Sequence, residues 1–71
     1  MNLYDKLSTE TKNTIGSKIN EYPNMTNKMI DDLKGTMFPS DVSLGSVQIL
    51  MEIIEPNNPF NLLHYYNLFE S

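Results

Sequence analysis

The sequence contains no cysteine, arginine, tryptophan or alanine. Without cysteine the chain can form neither a disulfide nor a thiolate metal site. Without arginine it lacks the planar side chain that clamps phosphates and carboxylates. His64 is its only histidine, so general bases and nucleophile-activating groups are also scarce. We therefore predict a protein that is not an enzyme and that holds no cofactor and no metal.

Positive charge is missing from the second half of the chain. Residues 1–35 contain all five lysines and an equal number of acidic residues, whereas residues 36–71 contain no basic residue. The acidic residues of that second half are Asp41, Glu52, Glu55 and Glu70. A surface without cations cannot neutralise phosphates, and it is not attracted to anionic lipids. This charge pattern predicts that the C-terminal half binds neither nucleic acid nor membranes.

Long hydrophobic runs are also missing. The longest strongly apolar stretch, VQILMEII, is far shorter than the roughly 20 residues that a transmembrane helix needs. The N-terminal stretch MNLYDKLSTE lacks the apolar core and the initial basic cluster of a signal peptide. We therefore predict a cytoplasmic protein, in the host cell cytoplasm if the chain is viral.

The residues that are present favour a small helical domain. A chain of 71 residues with 39% hydrophobic content is enough for one domain near the lower size limit. Pro23, Gly35 with Pro39, and the Asn57–Pro59 stretch divide it into four segments of helical length. We predict an all-α fold, a small compact domain of three to four short helices. Their approximate ranges are 3–21, 25–35, 43–55 and 59–70.

The first segment permits two interpretations. Apolar residues or threonine recur every fourth position from Leu3 to Ile19, which predicts one helical stripe. Ser8 or Thr9 could instead cap a new helix, giving a short turn followed by a helix from about residue 9. We take the single helix over 3–21 as the prediction and keep the second interpretation as its alternative.

The two middle segments have terminal signals at both ends. Asn24 or Thr26 is suited to cap the helix over 25–35, and Gly35 to end it. Asp41 or Ser43 is suited to cap the helix over 43–55. The β-branched alternation within that last segment would also suit a strand. The segment is longer than a typical strand, and Pro56 ends it, so a helix is favoured.

The last segment, NPFNLLHYYNLFE, has more large apolar residues than one core-facing stripe needs. Asn58 and Pro59 are suited to begin a helix there. Its outward face is either Leu62, Tyr65 and Phe69 or Phe60, Leu63 and Tyr66. Monomers seldom expose such patches, and aromatic residues are typical interface anchors. We predict that one face of the segment closes the core and the other binds a partner; burial of the whole segment within the domain is the alternative. Its anchors are Phe60, Leu63, Tyr66 and Phe69, and Glu52 and Glu55 supply charge at the rim.

These features predict a small non-enzymatic interaction protein. Its partner is another protein or a second copy of itself, so that a homodimer is one expected form. The small size and a composition typical of AT-rich coding sequence suggest a phage, viral or mobile-element accessory factor that inhibits or modulates a host protein. The alternatives are a regulator that binds nucleic acid through a helix-turn-helix-like hairpin at residues 24–55, and a small virion or assembly component.

Overall fold

The chain forms five α-helices and one 3-10 turn in the computed structural model, which describes residues 1–54 and 62–69. No strand is present within those two ranges. The prediction of an all-α fold is therefore confirmed. The helices are α1 (Leu3–Lys6), α2 (Thr9–Ile19), α3 (Pro23–Lys34), α4 (Leu44–Ile54) and α5 (Leu62–Asn67), and the 3-10 turn is Pro39–Asp41.

The single helix predicted over 3–21 is wrong, because the segment is broken between α1 and α2. Leu7 and Ser8 both adopt extended backbone angles. The Ser8 Oγ accepts a hydrogen bond of 3.2 Å from the Thr11 N–H and so caps α2. The Ser8 N–H, which a continuous helix would direct to Tyr4, donates instead to the Leu68 carbonyl at 3.2 Å. The alternative of a short turn followed by a helix from residue 9 is the observed structure.

The helix predicted over 25–35 begins earlier than expected. Pro23 occupies the first turn of α3, and Tyr22 is the N-cap without a side-chain hydrogen bond. Neither Asn24 nor Thr26 is therefore the cap. Proline suits the first helical position because its fixed φ is helical and its missing N–H would have no partner there. Gly35 ends the helix as predicted, with its N–H donating to Asp31 O at 3.0 Å.

The segment over 43–55, for which a strand was the alternative, is the helix α4. Ser43 is its cap, because the Ser43 Oγ accepts a 3.3 Å hydrogen bond from the Ser46 N–H. The end predicted at Glu55 lies outside the described residues, in which α4 reaches Ile54.

The helix predicted over 59–70 ends earlier than expected, at Asn67. Leu68 forms a turn, and Phe69 pairs with Leu7 in an isolated antiparallel bridge. The backbone after Asn67 therefore pairs with the extended residues Leu7 and Ser8 instead of continuing the helix. The start predicted at Asn58 and Pro59 lies outside the described residues.

Helix α3 is the centre of the packing, since it contacts α1, α2 and α4. Each large apolar side chain buried there stabilises the fold by about 1.5–3 kcal/mol relative to exposure. The buried apolar residues form one cluster. They are Leu3, Leu7, Ile15, Met29, Ile30, Leu33, Val47, Leu50, Met51, Ile53, Tyr65 and Leu68.

Candidate protein-interaction surfaces

The two tyrosines of α5 have opposite environments. Tyr65 is 1% exposed and belongs to the core, whereas its neighbour Tyr66 is 43% exposed. Phe69 is half-buried and meets the Tyr65 ring edge-on, with ring centroids 5.3 Å apart at 88°. Of the predicted anchors, Tyr66 therefore faces solvent, and Phe69 lies partly under cover beside the core tyrosine.

Three other residues predicted to bind a partner lie wholly or partly outside what the structure describes. Phe60 and Glu55 lie outside the described residues. Leu63 and His64 belong to α5 by their backbone, and their side chains lie outside what the structure describes. The prediction that Phe60, Leu63 and Glu55 contact a partner stays a prediction.

Glu52 is exposed and lines an open groove of about 400 Å³. This groove lies where α2 ends, α3 begins and the second half of α4 passes. The described side chains of α5 do not line it, so Glu52 and Tyr66 are not brought together in one site. The groove is lined by Lys18, Tyr22, Met25, Thr26, Ile49, Glu52 and Ile53.

A second exposed apolar region lies at the connection between α3 and α4, where no partner site is predicted from the sequence. Phe38 is 62% exposed, Leu44 63% and Met37 49%. We call these three residues the loop surface. The available signal was Phe38 itself, a large aromatic residue directly before Pro39 and outside every predicted helix. Apolar residues in such a position have no helical stripe to bury them.

The backbone beneath the loop surface is held in place by hydrogen bonds from other elements. The buried Tyr65 hydroxyl donates to the Pro39 carbonyl at 3.0 Å. The Leu3 N–H donates to the Thr36 carbonyl, also at 3.0 Å. Both bonds come from helices that are distant in sequence, so the loop is fixed by the packed domain rather than by its own residues alone.

The end of the loop is held by a carboxylate on α3. Asp32 Oδ2 accepts hydrogen bonds from the Ser43 N–H at 3.4 Å and from the Ser43 hydroxyl at 3.2 Å. The same hydroxyl oxygen accepts from Ser46 N–H at the start of α4. Asp32 therefore supports the cap of α4 and fixes the direction in which the adjacent Leu44 leaves the loop.

The buried Tyr65 hydroxyl has a displaced pKa. Burial raises this pKa above the ordinary value of 10.0, and the nearby Tyr66 and Asp32 raise it further. The hydroxyl thus stays neutral in the folded chain and remains able to donate to Pro39 when an exposed tyrosine would ionise.

This displaced pKa predicts a loss of stability in alkali. Above pH 10 the unfolded chain releases the Tyr65 proton while the folded chain retains it, so unfolding becomes more favourable as the pH rises. The free energy of unfolding should fall by up to about 1.4 kcal/mol per pH unit from this group. Urea titrations between about pH 9 and 11.5 measure it. Tyr65→Phe is the control, and an unchanged slope in that variant would contradict the assignment.

Three of the lysines have contacts that the structure describes. Lys18 forms an ion pair with Glu21 at 3.0 Å, the one ion pair among residues 1–54 and 62–69. Lys12 and Lys34 lie 5.9 Å and 5.1 Å from the centroid of the Tyr4 ring. Two of the cations thus lie near the same aromatic ring of α1.

The described residues contain neither a metal-ligand cluster nor a membrane-spanning helix. No three His, Asp or Glu side chains among them are close enough to hold a metal ion. None of their helices has both the length and the apolar character needed to cross a bilayer. No protein-family model matches the sequence, and no curated protein or solved structure is significantly similar to the chain.

Proposed function

We propose that the chain is a small, non-enzymatic interaction protein that inserts the loop surface into an apolar recess on another protein. The observation that carries this proposal is the exposure of Met37, Phe38 and Leu44 on a backbone fixed by distant helices. Large exposed apolar side chains are costly for a monomer and are typical of binding sites. A backbone already fixed in its bound form loses little entropy when it binds.

The charge of this region indicates what the partner offers. Between residues 36 and 51 the sequence carries a single charged side chain, that of Asp41, which is exposed. A partner surface with an apolar centre and a basic rim would complement it. The same absence of cations argues against a phosphate backbone as the partner. An accessory factor that modulates a host protein is consistent with such a surface.

Tyr66 extends the proposed interface from α5. Its neighbour Tyr65 reaches Pro39 through a hydrogen bond, and the centroids of the two tyrosine rings are 5.3 Å apart. The exposed ring of Tyr66 therefore lies beside the residue that bonds to the loop. The predicted anchor and the loop surface act together in this proposal, and Glu52 belongs to a different site.

The test compares two matched double variants of the purified chain in affinity capture from the source cell. Phe38→Ser/Leu44→Ser should lose a partner that the wild type recovers, with binding weakened about a hundredfold or more. Tyr22→Ser/Met25→Ser removes another exposed apolar pair, from the groove, and should recover that partner normally. Equal recovery by all three proteins would contradict the proposal.

Light scattering on the same proteins separates the two kinds of partner. A wild type that stays monomeric at micromolar concentrations is expected if the loop surface binds a different protein. A wild-type dimer that the loop variant converts to a monomer would show that the loop surface binds a second copy instead.

A further inference from the structure

The groove that contains Glu52 has the size of a small-molecule site. Its volume of about 400 Å³ falls within the roughly 300–1,000 Å³ of typical ligand pockets. A stable protein interface buries on the order of 1,000 Å² or more, which this recess does not provide. It lies apart from the loop surface, so its occupant is independent of the function proposed above.

The walls of the groove are largely apolar. Ile53 is buried and Ile49 half-buried, and both belong to α4. Across from them, Tyr22 is 56% exposed and Met25 is 47% exposed at the start of α3. A flat hydrocarbon group between these side chains would be covered on both sides. The groove therefore suits the apolar part of a ligand.

A hydroxyl without a partner lies at the floor of the groove. Thr26 is fully buried, and its Oγ1 has no hydrogen-bond partner among the described residues. Buried hydroxyls are almost always paired, so an unpaired one beside a recess indicates a polar group that a ligand could satisfy. The hydroxyl is covered in the free chain, so a ligand pairs with it only when the side chains that cover it move.

The rim of the groove carries one uncompensated negative charge. Lys18 lines the groove, but its ammonium lies 3.0 Å from the Glu21 carboxylate and is neutralised there. Glu52 lies on the α4 side, exposed, and forms no ion pair with any residue in the described ranges. The Tyr22 ring adds a face that attracts cations. A positively charged group is therefore favoured at the rim.

We propose that this groove binds a small arylalkyl amine that carries a ring hydroxyl. The ring lies between Ile49, Ile53 and Met25, the ammonium contacts Glu52, and the ring hydroxyl pairs with the Thr26 hydroxyl. The floor and the rim thus recognise the two ends of one ligand, and the apolar walls recognise its middle.

The test titrates the full chain with three probes and follows the backbone amide resonances. Tyramine has both polar ends, phenethylamine lacks the hydroxyl, and 4-ethylphenol lacks the ammonium. Tyramine should bind with a Kd on the order of 1 mM or below, and should perturb resonances of groove residues. Both incomplete probes should bind more weakly. Absence of perturbation at about 10 mM tyramine, a tenfold excess over that Kd, would overturn the proposal.

Two variants assign the two ends of the ligand. Glu52→Gln should weaken tyramine roughly three- to fivefold and leave 4-ethylphenol unchanged. Thr26→Val should weaken tyramine and leave phenethylamine unchanged. Because it removes an unpaired buried hydroxyl, Thr26→Val should also melt at a temperature no lower than the wild type, so unfolding cannot explain its weaker binding. Tyramine binding unaffected by either variant would overturn the proposed site.

Discussion

Replacing Tyr65 by alanine is expected to lower the free energy of unfolding by about 3–5 kcal/mol. The side chain is 1% exposed, and it is the largest of the fully buried side chains among the described residues. Its removal leaves a cavity in the core and deprives the Pro39 carbonyl of its hydrogen bond. A chain of 71 residues is expected to have only about 4–11 kcal/mol of stability in total. The variant should therefore be largely unfolded or close to it.

Tyr66→Ala is the matched control for this prediction. It removes the same type of side chain from the next position, where 43% of the residue is already in water. We expect it to cost less than about 1 kcal/mol. Urea unfolding followed by circular dichroism compares both variants with the wild type. Equal losses of stability would contradict the assignment of Tyr65 to the core and Tyr66 to the surface.

Replacing Leu3 by alanine is the second change with a large expected effect, about 2–5 kcal/mol. Helix α1 has four residues, too few to be stable without packing. The fully buried Leu3 side chain attaches it to the core, and the Leu3 N–H bonds to the Thr36 carbonyl. Losing the side chain removes the main reason for this turn to dock on α3, and it weakens one support of the loop surface.

Lys6→Ala is the control for the Leu3 variant, because it alters the same short helix at its partly exposed end. A change within about 0.5 kcal/mol is expected there. The same urea titrations measure both variants. A loss below about 1 kcal/mol for Leu3→Ala would show that α1 does not depend on this side chain.

The helical class and most of the core could be predicted from sequence because the spacing of apolar residues is a local property. Leu3, Leu7 and Ile15 are buried, as the stripe in the first segment predicts. The break before Ser8 and the early end at Asn67 could not be chosen in the same way. Each depends on the other, since the Ser8 N–H bonds to the Leu68 carbonyl. The helix propensities of neighbouring residues cannot predict a hydrogen bond between residues so far apart in the sequence.

The candidate sites were less predictable than the fold for a related reason. Glu52 and Tyr66 were expected at one surface because both lie in the cation-free half of the chain. Two residues in the same half of the sequence need not be close in the fold. Glu52 lines a groove with residues of α2 and α3. Phe38 lies outside every predicted helix, so the spacing of apolar residues does not indicate whether it is buried; it is 62% exposed.

The hydrogen bond from Ser8 to Leu68 also bears on the order in which the chain folds. It joins residues separated by nearly the whole sequence, and closing so long a loop carries a large entropic cost until the helices between them have docked. The pairing of α5 with the α1–α2 break should therefore be a late step. It should also be among the first to open in the native state, so the Ser8 amide should exchange its proton with solvent faster than the amides in the middle of α3.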